Sequence, residues 1–114
     1  MSMAESQMRK GILELVVLAT LKRQPTYGGA LLDALVQSFD SDFSSGTLYP
    51  LLARLRKSGM LTTHWEESPV GPPRKIYRVT KHGSERLEAL HTEWSALVTA
   101  VTKALKGTDH DHSH

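Results

Sequence analysis

Residues 45–61 read Ser-Gly-Thr-Leu-Tyr-Pro-Leu-Leu-Ala-Arg-Leu-Arg-Lys-Ser-Gly-Met-Leu, and they are the most informative stretch of the chain. The leucines recur at intervals of three and four residues, which predicts an amphipathic helix from about Gly46 to Ser58. Pro50 is compatible with that helix if its N-cap is Gly46 or Thr47, because the missing N–H of proline then falls among the unpaired donors of the first turn. The leucines that we expect to face inward are Leu48, Leu51, Leu52 and Leu55.

Two further helices are predicted before this stretch. Residues 12–21 are apolar around most of a helical circumference, which predicts a helix buried on more than one side and ending ahead of Pro25. Thr26 is then a suitable N-cap for a second helix. Gly28 and Gly29 in its first turn predict a close approach of another backbone, since glycine has no side chain to obstruct one.

A β-hairpin is predicted after the leucine-rich helix. Gly59 marks the end of that helix, because glycine adopts the left-handed conformation of a C-cap without strain. Residues 61–66 and 74–79 then alternate in polarity like two strands. The proline-rich loop over residues 68–73 connects them and cannot continue either strand. These segments predict a hairpin with a stiff tip.

The last predicted helix begins after Thr80, a natural N-cap, and runs over about residues 81–106. Its apolar residues form a seam at intervals of three and four, but a core this small cannot cover so long a helix. The exposed half of the seam predicts a homodimer closed mainly by this helix, with the first helix contributing. The predicted interface residues are Trp94, Leu97 and Val101.

The order of elements predicts a mainly α fold with a small β-hairpin. We expect a winged helix-turn-helix DNA-binding domain over residues 1–80, a C-terminal dimerisation helix over 81–106 and a disordered tail rich in His and Asp over 107–114. In this architecture one helix enters the major groove of double-stranded DNA and the hairpin flanks it. Two copies related by a two-fold axis bind an inverted repeat.

Composition narrows the functional class. The chain has 114 residues and no cysteine, which allows one domain and excludes disulfides, thiol catalysis and cysteine-based zinc sites. The sequence contains no phosphate-binding loop and no HExxH or GxSxG element, so we expect neither an enzyme nor a cofactor. The apolar stretch at residues 12–21 is too short to span a bilayer, and we expect a soluble cytoplasmic protein.

Basic and hydroxyl side chains occur where the DNA-binding architecture needs them. The formal net charge is +2, and the last eight residues contain two of the 12 acidic side chains but none of the 14 basic ones. Basic residues lie on the outer face of the third helix and directly after the hairpin loop, while hydroxyl groups cluster at the start of that helix and suit phosphate binding. From these groups we select Ser45, Thr47, Tyr49, Arg54, Lys57, Arg74 and Lys75. We expect Tyr77 and Trp65 to pack in the interior.

The same stretches resemble a known family. Residues 45–61 resemble the recognition-helix signature of PadR-family regulators, Tyr27-Gly28 is similar to the start of that family's second helix, and residues 74–83 resemble its wing strand and the following turn. The short single C-terminal helix is similar to that of the family's shorter subgroup. The resemblance covers about residues 9–105 and adds Tyr27 to the predicted DNA contacts. It implies a homodimeric repressor of bacterial operons that a small effector releases.

Trp94 suggests what the effector is. A two-fold axis through the seam would bring two copies of this residue together, and a gap lined by flat rings suits planar aromatic molecules. In some multidrug-responsive members of the family, a similarly placed tryptophan lines a central pore. The alternative is that Trp94 only fills the interface.

The sequence leaves two other functions open. The winged helix can serve as a protein-binding adaptor that does not bind DNA. The imidazoles of His110, His112 and His114 can bind a divalent metal, which would make the protein a metal-responsive regulator. We nevertheless assign no metal site, because such a tail is more often solvated and binds metal only adventitiously.

Overall fold

The computed structural model describes the backbone of residues 3–38 and 44–112, and the side chains of residue 7 and of residues 9–38 and 44–107. Within these residues the chain forms four α-helices and three β-strands. The elements in chain order are α1 (Met3–Arg23), β1 (Thr26–Tyr27), α2 (Gly28–Ser38), α3 (Ser45–Lys57), β2 (Leu61–Glu66), β3 (Arg74–Val79) and α4 (Lys81–His112). We call β2, β3 and the loop over residues 67–73 the wing.

The sheet is antiparallel with the strand order β1-β3-β2. The predicted hairpin is confirmed, because β2 pairs with β3 from Leu61 opposite Val79 to Glu66 opposite Arg74. The prediction for Thr26 is wrong, since this residue lies in β1 opposite Tyr77 rather than capping α2. The free edge of β3 offers hydrogen-bonding partners to the extended chain after α1, so β1 forms there as a third strand that the sequence did not predict.

One core joins all the helices to the sheet. Its members come from α1, α2, α3, β2, β3 and α4, and leucine dominates it. The buried residues are Val17, Leu18, Leu21, Leu31, Leu35, Leu48, Leu52, Leu55, Leu61, Tyr77 and Leu90. Helix α4 contributes only its first turns to this core, so most of its length projects beyond the domain.

Helix α3 begins earlier than predicted. The carbonyl of Ser44 accepts the backbone N–H of Leu48 at 2.9 Å, which makes Ser44 the N-cap in place of Gly46 or Thr47. Pro50 therefore lies in the second turn, where its missing N–H leaves the carbonyl of Gly46 without the usual helical donor. Because Gly46 and Pro50 are both exposed, water can satisfy that carbonyl.

The end of α3 matches the prediction. Gly59 has a φ of 81°, and the N–H of Met60 donates to the carbonyl of Leu55 at 2.9 Å. The N–H of Gly59 donates to the carbonyl of Arg56 at 3.1 Å, which completes a Schellman motif. This cap turns the chain directly into β2.

Thr80 caps α4 as predicted and also ties it to the end of α3. Its hydroxyl accepts the N–H of Gly83 at 3.0 Å and donates to the carbonyl of Gly59 at 2.6 Å. A Cβ atom at Gly83 would collide with the carbonyl oxygen of Met60, so the start of α4 can approach this turn only with glycine there. The end of α3 and the start of α4 are thereby held together.

Helix α4 extends to His112, six residues past the predicted end, so the backbone of residues 107–112 is helical rather than disordered. Once a helix has formed, each further residue adds a hydrogen bond, and neither a proline nor another breaker follows Gly107. At 32 residues the helix is about 48 Å long. The side chains of His110, His112 and His114 lie outside the described residues.

Two absences from the described part of the chain bear on the function. No helix there is long and apolar enough to cross a membrane. No group of three or more His, Asp or Glu side chains among those residues is placed to hold a metal ion.

Candidate functional site

Tyr49 on α3 packs against the first turn of α2. A Cβ atom at Gly28 would lie 2.6 Å from Cε1 of Tyr49, so the ring of Tyr49 packs directly on the glycine. A neighbour does approach Gly28 closely, but it is a tyrosine ring, so the prediction of an approaching backbone is wrong. Tyr49 stays partly exposed beside this contact. The first turn of α2 and the first half of α3 therefore form one continuous surface.

A second contact joins the wing to β1, through Arg74 and Tyr27. The Cζ atom of its guanidinium lies 4.3 Å from the ring centroid of Tyr27, within the range of a cation–π interaction. The strand register explains the contact, because Tyr27 is opposite Ile76 and Arg74 lies two residues before Ile76 on the same face of β3. Lys75 points to the other face, where its Nζ is 5.9 Å from the ring centroid of Tyr77.

Tyr77 lies in the core, as predicted. Burial raises the pKa of its hydroxyl, the nearby Tyr49 raises it further, and Arg56 opposes both effects. The net upward shift of this pKa shows that burial outweighs the nearby cation. Arg56 is an exposed cation near Tyr77 that we had not selected, although it lies only two residues from Arg54.

The other selected residues of α3 lie on its solvent side. Ser45, Thr47 and Lys57 are exposed, and the hydroxyls of Ser44 and Thr47 are 3.2 Å apart. At 100° per residue, Lys57 shares its face of the helix with Pro50, opposite the buried leucines. Helix α3 thus presents hydroxyl groups at its start and a cation at its end.

Arg54 lies apart from this group. Its Nη2 is 3.7 Å from Oε2 of Glu14, and Nε of Arg86 is 3.1 Å from Oε1 of the same carboxylate. Glu14 is only 6% exposed, so one buried acid on α1 links α3 to α4. The sequence offered one signal for this arrangement, since Glu14 interrupts an otherwise apolar helix. A lone carboxylate at such a position needs a charged partner.

Trp65 is not packed in the interior, and the prediction for it is wrong. Its side chain is 69% exposed, and it lies on β2 opposite Lys75. The alternation of polar and apolar residues along β2 continues past the edge of the core. At the tip of the wing, the face that carries Trp65 is therefore exposed to solvent. An exposed indole and a lysine therefore share the wing face that carries Tyr77 closer to the core.

A second surface lies between α1 and α4. Ile12 and Leu15 on α1 and the apolar face of α4 enclose an open groove with a volume of about 490 Å³. The predicted interface residues come together on it, and Leu97 is 54% exposed. We call this the α1–α4 groove; its α4 wall consists of Leu90, Glu93, Trp94, Leu97, Val98, Val101 and Thr102.

Comparisons with known proteins agree on one family. The profile of the transcriptional regulator PadR-like family matches residues 17–89. A PadR-like transcription factor from Bacteroides fragilis is 38% identical, with 89% of this chain and 97% of that chain covered and a TM-score of 0.75.

Two further solved structures are similar over most of the chain. A PadR-like transcriptional regulator from Bacillus cereus is 34% identical over 87% of this chain and 96% of its own, with a TM-score of 0.80. A PadR family transcriptional regulator from Eggerthella lenta is 35% identical over 90% of this chain and 88% of its own, with a TM-score of 0.76. These likenesses confirm the winged-helix fold.

Proposed function

Because the chain belongs to the PadR-like family of transcriptional regulators, we propose that it is a DNA-binding repressor that a small effector releases. The family consists of transcriptional regulators and not of enzymes, in agreement with the sequence. The observation that carries DNA binding is that α3 exposes hydroxyls, Tyr49 and a cation while the neighbouring wing exposes Arg74. Together these groups combine cations, hydroxyls and aromatic rings on a helix and a wing of suitable size for duplex DNA.

In this proposal the start of α3 enters the major groove. Ser45, Thr47 and Tyr49 lie at that end of the helix, where hydroxyls and free backbone N–H groups suit phosphates and base edges. Lys57 contacts the phosphate backbone farther along. Arg54 contributes by holding α3 against Glu14, because its guanidinium is already directed to that carboxylate.

The wing flanks the helix in this proposal. Arg74 and Lys75 follow the proline-rich loop and supply sequence-independent phosphate contacts. The exposed indole of Trp65 lies opposite Lys75 and adds apolar surface to the same edge. The wing therefore contributes affinity, while α3 contributes most of the discrimination between bases.

A second copy of the chain covers the α1–α4 groove. The groove walls are almost wholly apolar, and Trp94, Leu97 and Val101 would stay in water on an isolated chain. Two-fold pairing through α4 places the two α3 helices on half-sites of an inverted repeat, about 34–36 Å apart. We place this dimer in the cytoplasm, where the DNA is.

The effector is a planar aromatic molecule that stacks on Trp94 within this groove. Such molecules should quench the fluorescence of Trp94 and weaken DNA binding. In Trp94→Leu, which keeps the groove apolar, the quenching should vanish while the dimer persists. Unchanged quenching would assign the signal to Trp65 and leave Trp94 as a packing residue.

The experiment that tests the function is footprinting on the DNA upstream of the protein's own gene. We expect protection of an inverted repeat, with an affinity that falls as salt concentration rises. Binding without sequence preference, or no binding, would contradict the proposal and favour the protein-binding adaptor. Protection that appears only when a divalent metal is added would favour metal sensing through the histidine-rich end of α4.

A further inference from the structure

The contact between Tyr27 and Arg74 assigns a role to each side chain. We propose that Tyr27 is a positioning residue, whose ring holds the guanidinium of Arg74 ready for a DNA phosphate; the inference rests on the proposed DNA binding. The resemblance alone made Tyr27 a direct DNA contact. In the structure its ring faces the arginine at 4.3 Å.

The backbone fixes the ring of Tyr27 on two sides. Tyr27 pairs with Ile76 in the antiparallel ladder between β1 and β3, which sets its distance from the wing. On the other side, a Cβ atom at Gly29 would lie 3.3 Å from Cε2 of the ring, so the ring rests against the first turn of α2. The tyrosine ring that contacts Arg74 is therefore held by β1 and α2, whereas the loop before Arg74 lies at the tip of the wing.

A ring stacked on the guanidinium suits a phosphate-binding arginine. The N–H donors of guanidinium lie in its plane, so a ring stacked on one face leaves the donors at the edges free. An arginine side chain also loses much rotamer entropy when a contact fixes it. If the tyrosine ring already restricts the side chain in the free protein, less entropy is lost when DNA binds. Stacking on Tyr27 thus strengthens a phosphate contact without using any donor.

Lys75 provides an internal comparison. Its Nζ lies 5.9 Å from the ring centroid of Tyr77, at the outer limit for a cation–π interaction, and lysine has no planar face to stack. Two adjacent cations of the wing therefore differ in how firmly they are held. If positioning matters, changes at Tyr27 will act through Arg74 and not through Lys75.

The test uses a fluorescent DNA duplex of random sequence at low salt, because phosphate contacts do not depend on sequence. Tyr27→Phe retains the ring and should bind like the wild type. Tyr27→Leu removes the ring and should weaken binding about two- to five-fold. In an Arg74→Ala background, Tyr27→Leu should cause no further loss, whereas in a Lys75→Ala background it should cause the full loss.

Two results would overturn the proposal. Equal weakening by Tyr27→Phe and Tyr27→Leu would show that the hydroxyl contacts DNA directly. Additive effects of Tyr27→Leu and Arg74→Ala would show that the two side chains act independently. If Tyr27→Leu does not fold, Arg74→Lys replaces it in the test, since that variant keeps the charge, loses the stacking face and should bind more weakly than the wild type.

A second readout needs no DNA. The side-chain protons of Arg74 should show upfield ring-current shifts in NMR spectra of the free protein, retained in Tyr27→Phe and lost in Tyr27→Leu. Absence of these shifts in the wild type would overturn the stacking itself. If the wild type shows the upfield shifts but does not bind DNA, the stacking stands and the proposed function is contradicted.

Discussion

Helix α3 and the distal half of α4 have the same kind of apolar seam but different surroundings. Leu48, Leu52 and Leu55 on α3 are fully buried by α1, α2 and the sheet. On α4, Leu97 and Leu105 are 54% and 62% exposed, because the helix continues beyond the domain. Apolar periodicity therefore identifies a seam in the sequence, and only the fold shows whether the same chain covers that seam or leaves it exposed.

The largest effect is expected when a leucine is removed from the seam of α3. Leu52→Ala should lower the free energy of unfolding by about 2–5 kcal/mol, since Leu52 is fully buried and its loss leaves a cavity. Urea denaturation at fixed protein concentration measures this. An effect below 1 kcal/mol would show that the seam of α3 is not the core of the domain.

The matched change in the second region is Leu97→Asp. It places an unpaired charge in the α1–α4 groove and should shift the protein from dimer to monomer while each domain stays folded. Sedimentation at micromolar concentration measures the shift, and Leu97→Met serves as the apolar control. A wild type that sediments as a stable monomer would show that no second copy covers the groove.

The proposed DNA contacts of the wing can be tested without disturbing either seam. Replacing Arg74 and Lys75 by Ala should weaken binding to all sequences alike and reduce the slope of log affinity against log salt by about 2. Anisotropy titrations over a salt series measure that slope. Wild-type affinity with a wild-type slope would exclude the wing from the DNA contacts.

The smallest effect is expected at the far end of α4. Deleting residues 107–114 should leave DNA affinity and dimerisation unchanged, because these residues follow Leu105, the last apolar residue of the seam. Titration with and without a divalent metal checks this. A metal effect that the deletion abolishes would assign a regulatory role to the histidines there.

Features set by local chemistry were readable in the sequence. Gly59 and Thr80 act through hydrogen bonds to residues close in the chain or in the adjoining turn, and both were identified. The bounds of β2 and β3 also followed from alternation and from the loop between them. The predicted start of α3 was too late, because its N-cap Ser44, although a good cap residue, lies outside the leucine pattern.

Features set by distant partners were not readable. Strand β1 has only two residues and forms because β3 offers a free edge. A helical wheel directs Arg54 outward but does not show that Glu14, forty residues earlier in the chain, lies beside it. Trp65 continues the alternation of β2 beyond the edge of the core, and only the three-dimensional structure shows where that edge is.

The most direct test of the whole account compares DNA containing one half-site with DNA containing the full inverted repeat. The wild type should bind the full repeat as two chains and far more tightly than the half-site, whereas Leu97→Asp should bind both with similar, weak affinity. Equal affinity of the wild type for half and full sites, or undiminished binding of the full repeat by monomeric Leu97→Asp, would contradict the division of roles between the winged-helix domain and α4.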